Sequence, residues 1–334
     1  MSEPLMRAAV LHKLNDFPEI IRVAKPVPAE DQALIRVEAS ALNRRDDWIR
    51  IGMYPHIQLP SILASDVCGV VEQCDAAPEL IGRRVVLCPS LNWGSDENHQ
   101  SHSYHILGMP SAGGLADYIC HPVELLVEVP EHLDAGEAAA FSLAGLTAWR
   151  ALMTQGGLKP NHRVLITGAG GGVGSLAALF AQAFGAKVWI SSGKQAVIED
   201  ALTSGLQGGV SYREDAWWKS LPRGMDVIID GAGGEDFGRL ISLLGMGGRL
   251  VFYGGTNGKW PAISPQHLFF KQAAIVGSTM GSPTEFQRMW HFIAEKKLKP
   301  TLDSRWPLED TKGAFKRLLS KARRGKVVIE VQTV

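Results

Sequence analysis

Apolar residues fall along this chain in two different rhythms. Up to about residue 125 they come as short runs broken by turn residues, as at 8–11, 33–39, 69–72 and 84–87, the pattern of an all-β region. Beyond Asp134 the rhythm changes. Residues 137–151 carry an Ala/Leu-rich face at helical spacing and predict one helix. The runs 164–167, 187–191, 226–230, 249–253 and 274–276 then predict strands, and each of the first four is followed by helix-compatible sequence. Such alternation implies βαβ units around a parallel sheet, an α/β fold. After about Lys297 the pattern is mixed, and the alternating run 325–331 predicts a last strand that rejoins the N-terminal β region. The expected domains are therefore 1–128 completed by 297–334, and 129–296.

One segment imitates a membrane span. Residues 164–186 carry no charge and are long enough to cross a bilayer. Five of the seven residues from Gly168 to Gly174 are glycine, however, and a short β-rich run precedes them. Behind them Val173, Leu176, Ala177, Phe180, Ala181 and Phe184 repeat at helical spacing. Strand, tight turn and helix is the reading, with no membrane partner. In that context the turn reads as a dinucleotide site, with Ala169-x-Gly171-x-x-Gly174 in register, alanine in the first place. Backbone amides around Ala169, Gly171, Gly172, Val173 and Gly174 are expected to hold a pyrophosphate at the helix N-terminus.

The end of the second strand speaks to which dinucleotide. An NAD site expects an acid about 20 residues on, to bind the ribose 2′-hydroxyl. Here the chain reads Ser191-Ser192-Gly193-Lys194. A hydroxyl at Ser192 and a cation at Lys194 suit a 2′-phosphate, so NADPH/NADP+ is the expected cofactor. The competing reading is that Lys194 only begins a solvated helix.

Composition narrows the classes. The chain has 334 residues, 46% hydrophobic, with 34 basic and 34 acidic side chains and no net charge. Its only cationic run is the four cations within 321–326, better explained as a solvated helix end, so nucleic acid is not an expected partner. Cys68, Cys74, Cys88 and Cys120 form no C-x-x-C pair, which suits a reducing compartment. The first residues lack a signal peptide's basic and apolar regions. A cytoplasmic protein acting on a small molecule is expected.

The chain resembles the medium-chain dehydrogenase/reductase superfamily, in its quinone oxidoreductase-like branch. The resemblance spans nearly the whole length. It rests on Ala41-Leu42-Asn43-Arg44-Arg45-Asp46 running to Tyr54-Pro55, on Leu63-Ala64-Ser65-Asp66-Val67-Cys68-Gly69, and on Leu143-Ala144-Gly145-Leu146-Thr147-Ala148-Trp149. Gly277-Ser278-Thr279-Met280-Gly281 and Gly325-Lys326-Val327-Val328 complete it. It implies a GroES-like β domain built from both chain ends and a Rossmann doubly wound domain between them. It further implies that Asn43 and Thr147 lie near the nicotinamide or its ribose, and that Tyr212 closes the adenine end. Tyr253, Gly254 and Thr256, with Ser278 and Met280, would line the cofactor, and Lys326 would reach toward it.

Zinc alcohol dehydrogenases of this superfamily hold catalytic zinc with a Cys, a Gly-His-Glu motif and a second Cys. Those positions are Asn43, Ala64-Ser65-Asp66 and Leu143 here, and the four-cysteine structural lobe is replaced by residues 91–105. Asn, Ser and Leu do not supply the thiolates and imidazole of a stable zinc site, so no zinc is expected. His99, His102 and His105 could hold a metal through their imidazoles, but they share a face only if their loop is helical, and nothing else in it suggests a helix; a polar surface or lid loop is expected.

Oxidising an alcohol without zinc needs another proton acceptor, and no tyrosine here has a lysine four residues later. Reduction asks less: a cofactor hydride and stabilisation of a developing oxyanion. The expected activity is NADPH-dependent reduction of a quinone, enone or enal, with Asn43 and Tyr54 as candidate catalytic donors, Tyr54 being equally readable as a rim aromatic. A zinc-type alcohol or carbonyl dehydrogenase and a non-catalytic NADPH-binding protein stay open as alternatives. The apolar run 273–278, last in the Rossmann sequence, predicts an edge strand whose pairing with a second copy would give a homodimer.

Overall fold

The computed structural model describes residues 4–332, and its contacts divide the chain into two compact units. One comprises the chain up to Leu143 and from Ser282 onward; the other is Ala144–Gly281. The division falls later than 128/129 and earlier than 296/297. Local bonds explain the difference: Asp134 pairs with Arg305, Glu137 with Lys299, and the rings of Phe141 and Trp290 meet edge to face at 5.8 Å.

The first unit opens with β1 (Leu5–Leu11), β2 (Glu19–Ala24) and β3 (Gln32–Leu42), then α1 (Arg44–Arg50). β4 (Ser61–Ile62), β5 (Asp66–Gln73), β6 (Arg84–Leu87), β7 (Ser90–Leu91), β8 (His105–Ile106), β9 (Tyr118–Pro122) and β10 (Leu126–Glu128) follow. The principal sheet runs β10-β6-β5-β3 and continues into strands from the C-terminal end of the chain, with β9 also paired to β3. Alternate side chains of these strands, among them Ile35, Val37, Val67 and Leu87, are fully buried in one core with Ile49 of α1. Each such burial contributes about 1.5–3 kcal/mol.

In place of a single helix over 137–151 there are α2 (Ala135–Ala139), α3 (Ser142–Trp149) and a wider π-helical turn over Arg150–Gln155. A physical cause stands at the restart: the N–H of Leu143, in the first turn of α3, donates to Asp66 Oδ1 at 2.6 Å. A carboxylate there accepts from an amide of the helix's first turn and favours the positive end of its dipole.

The second unit contains β11 (Arg163–Ile166), α4 (Gly172–Ala183), β12 (Lys187–Ser192), α5 (Gln195–Thr203), β13 (Gly208–Ser211), β14 (Met225–Asp230), α6 (Phe237–Leu243), β15 (Leu244–Phe252), α7 (Gln266–Phe269) and β16 (Ala274–Gly277). Its strands are all parallel, in the order β13-β12-β11-β14-β15-β16. Numbered within the unit this is 3-2-1-4-5-6, the Rossmann order, in which direction reverses between β11 and β14 and ligands bind beyond the strand ends. β16 is an edge strand, as the apolar run at 273–278 predicts.

The chain then returns to the first unit through α8 (Pro283–Lys296), β17 (Leu302–Pro307), α9 (Thr311–Leu319) and β18 (Lys326–Glu330). β18 lies between β17 and β3, antiparallel to β3 with Val327 opposite Leu42. The predicted rejoining strand is thus present, and its register brings Lys326 beside Asn43.

Candidate functional site

In the second unit the switch point is built from backbone. Thr167 donates its N–H to Ile229 O at 3.0 Å, Gly168 takes φ +61°, and Ala169 donates to Ser191 O at 3.1 Å. α4 then starts behind Gly171, so the amides of Gly172, Val173 and Gly174 occupy its first turn, where helix geometry leaves them without intrahelical partners. Glycine is required at 174: a Cβ there would lie 2.6 Å from Gly168 O. These amides fit a pyrophosphate.

Two side chains brace that turn. Thr167 Oγ1 donates to Asp230 Oδ1 at 2.5 Å, while Asp230 Oδ2 accepts from Gly233 N at 2.7 Å. Burial raises the Asp230 carboxyl above its usual range, against the pull of the Thr167 hydroxyl and loop amides. Sequence pattern does not single out Asp230; a carboxylate ending a switch-point strand was the available signal.

At the end of β12, Ser192 is buried and its Oγ accepts from Lys194 N at 3.2 Å. A Cβ at Gly170 would sit 3.6 Å from Ser192 Oγ and 3.7 Å from Lys194 Nζ, so hydroxyl and ammonium both reach the glycine turn. Tyr212 lies across Gly193, where a Cβ would be 2.6 Å from its hydroxyl. Ser192, Lys194 and Tyr212 are thus one group.

The remaining expected cofactor residues of this unit form two further groups. The Tyr253 ring covers Gly231, and Gly254 approaches Gly231 O so closely that a Cβ would be 2.9 Å away. Thr256 Oγ1 bonds the same carbonyl at 3.3 Å. Separately, Thr147 Oγ1 lies 3.9 Å from the sulfur of buried Met280. The Ser278 hydroxyl is buried without a hydrogen-bond partner among the described residues.

The first unit holds a different kind of site. Lys326 is 2% exposed, and its Nζ lies 2.6 Å from Asp66 Oδ2, 2.6 Å from Asn43 Oδ1 and 3.0 Å from Leu42 O. Asn43 Nδ2 donates to the same Asp66 Oδ2 at 2.9 Å. Asp46 supports the group from behind, accepting from Asn43 N at 2.7 Å and Ala64 N at 3.2 Å. Burial, only partly offset by the Asn43 amide and the Arg45 cation, pushes its carboxyl up to about 6. Capping-box spacing at Asn43-x-x-Asp46 was the signal for Asp46. Lys326, expected near the cofactor, has its ammonium committed to Leu42, Asn43 and Asp66.

Tyr54 packs half-buried on the first core, with the Arg45 guanidinium 4.7 Å from its ring centroid. Among the described residues Tyr54 makes no hydrogen bond to Asn43. Arg45 is itself buried, donating to Ser65 Oγ, Leu107 O and Met109 O. Cation–π packing orients the tyrosine ring.

These residues do not fit a zinc ion. The Ser65 hydroxyl is taken by Leu107 O and Arg45, the Leu143 side chain has no atom that could ligate a metal, and the Lys326 ammonium is bonded to both Asn43 and Asp66. A second cation there would face direct repulsion. The loop histidines do not converge either: the His99 and His105 rings bond the carbonyls of Gln100 and Ser103, and no group of three candidate metal ligands occurs among the described residues.

Comparison with known proteins agrees with this architecture. Residues 29–131 match the alcohol dehydrogenase GroES-like domain, and residues 172–295 the zinc-binding dehydrogenase family. A zinc-type alcohol dehydrogenase-like protein, YogA, of Leptosphaeria maculans is 35% identical over 92% of this chain and 93% of its own length. The chain belongs to the medium-chain dehydrogenase/reductase superfamily. Human quinone oxidoreductase is 28% identical over 98% of both chains. A crystal structure of an NAD-dependent alcohol dehydrogenase superposes with TM-score 0.92 at 31% identity, covering 98% of this chain and 100% of that one. The superfamily member described here is accordingly an oxidoreductase of dinucleotide-binding fold, and no helix among its described residues is long and apolar enough to cross a membrane.

Proposed function

We propose that this oxidoreductase uses NADPH to reduce a quinone, enone or enal, without zinc. The observation that carries the cofactor assignment is the end of β12, where Ser192 and Lys194 reach the glycine turn and the sequence Ser191-Ser192-Gly193-Lys194 has no acid in the place an NAD site expects one. The amides of Gly172, Val173 and Gly174 would hold the pyrophosphate, with Thr167 and Asp230 keeping the turn in place. Bound there, NADPH supplies the hydride. The chain's own residues need then only stabilise charge on the acceptor oxygen and deliver a proton. Asn43 can donate an amide N–H to that oxygen, and Tyr54 or solvent can supply the proton. With a quinone the balance is NADPH plus a proton plus quinone giving NADP+ and hydroquinone. Quinone oxidoreductases and an acryloyl-coenzyme A reductase among the relatives support an electron-poor acceptor.

Lys194→Ala tests the cofactor reading. A charge-assisted contact of about 1.5–3 kcal/mol implies a roughly ten- to hundredfold loss of NADPH affinity with NADH unchanged. Equal loss for both contradicts it.

Two further parts of the reading concern the protein's setting. The cytoplasm suits four cysteines that form no disulfide. A homodimer through β16 would cover its unpaired edge. Sedimentation as a monomer at micromolar concentration would refute that assembly.

A further inference from the structure

We propose that Lys326 is a positioning residue: its buried ammonium locks the Asn43 amide in the one orientation that presents an N–H to a ligand oxygen. A lysine ammonium has three donors and no acceptor. Here the three donors have three oxygen acceptors, Leu42 O, Asn43 Oδ1 and Asp66 Oδ2, at 3.0, 2.6 and 2.6 Å. The Asn43 atom facing this cation must therefore be its oxygen. Independently, the atom facing Asp66 Oδ2 at 2.9 Å must be a donor, the amide nitrogen. Both constraints select the same rotamer. Turning the amide over would set NH2 against the ammonium and oxygen against the carboxylate, inside a site where Lys326, Asp66 and Asn43 are 2%, 0% and 8% exposed.

The rotamer has a chemical consequence. Asn43 Nδ2 carries two protons, and Asp66 takes one. The other has no protein acceptor among the described residues. On this proposal it is the donor left for a ligand, a neutral N–H for a carbonyl or developing oxyanion, backed by a cation through the amide oxygen. Asp66 is held in turn by Leu143 N at 2.6 Å, so the whole assembly is anchored to β3, β5, β18 and α3.

The kinetic arm of the test rests on the reductase reading above. Lys326→Met alone would strand the Asp66 charge and endanger folding, so the informative variant is the neutral pair Asp66→Asn with Lys326→Met. A neutral amide at position 66 can bond Asn43 in either orientation, which frees the Asn43 amide to turn over. With 1,4-benzoquinone and crotonaldehyde as probes, Asn43→Ala should lower kcat about a hundredfold, the loss for an oxyanion donor. The paired variant, with wild-type thermal midpoint, should lose a comparable factor. Combined, the three substitutions should be no worse than Asn43→Ala alone. A folded paired variant with wild-type kcat, or losses that multiply, overturns the proposal. If the wild type oxidises NADPH with neither probe, the reductase reading falls, and side-chain amide NMR of protein carrying 15N-asparagine decides the positioning claim separately. The Asn43 amide, assigned by its disappearance in Asn43→Ala, should show one slowly exchanging proton in the wild type, and that proton should exchange markedly faster in the paired variant. Identical exchange in both overturns it.

Discussion

On the proposed reading, each unit offers hydrogen-bond donors to its ligand, and the two do so by opposite means. In the second unit side chains are removed: around Gly168–Gly174 the backbone itself makes the site, and a single added Cβ would strike Gly168 O. In the first unit a lysine, an asparagine and two carboxylates are packed beside a hydrophobic core, and charge pairing fixes what faces outward. A backbone site tolerates little added volume, and its own donors do not ionise. A side-chain site has the reverse weakness.

Substitution should expose that contrast. The largest effect is expected from Gly174→Val, whose branched side chain must displace Gly168 O and the Ala169 backbone. Overpacking of about 3 kcal/mol corresponds to roughly a hundredfold loss of dinucleotide affinity. NADPH and NADH should suffer alike, since both share the pyrophosphate; unchanged binding in a fluorescence titration would show that the turn is not the site. Lys194→Ala should act on NADPH alone and by a smaller factor, because it touches only the 2′ end.

The remaining effect belongs to the first unit and is read with pH. Asp46 ordinarily ionises near 3.8, and in the folded chain, chiefly through burial, near about 6. Its protonated form is therefore favoured by folding. The stability this contributes is full below about pH 4 and lost as pH rises through about 6, on the order of 3 kcal/mol. Asp46→Asn should flatten that part of the stability curve relative to wild type in denaturant titrations. Parallel curves for the two proteins would place the titration elsewhere.

The same contrast decides what could be read from sequence. The glycine turn, Ser192 and Lys194 lie within 27 residues, from Gly168 to Lys194, in a local strand–turn–helix–strand pattern, so local motif and spacing sufficed to bring them together. Asn43 and Lys326 are 283 positions apart, and only the pairing of β18 with β3 joins them. No local spacing could give that contact; the family resemblance named both residues without showing that they bind each other. Two elements escaped for related reasons. β13 begins Gly208-Gly209, poor strand formers, and becomes a strand through parallel pairing with β12. The helix expected over 137–151 is interrupted where the distant Asp66 carboxylate captures Leu143 N, which helical spacing does not reveal.

The central claim is hydride transfer from NADPH with a buried lysine, in place of a metal, organising the first unit's site. Its most direct measurement follows NADPH oxidation by 1,4-benzoquinone in protein dialysed exhaustively against EDTA, with metal content determined on the same sample. Turnover should equal that of undialysed protein, with zinc far below one per chain and no gain on adding zinc back. Activity that disappears with the loss of one bound zinc per chain and returns with zinc would contradict it.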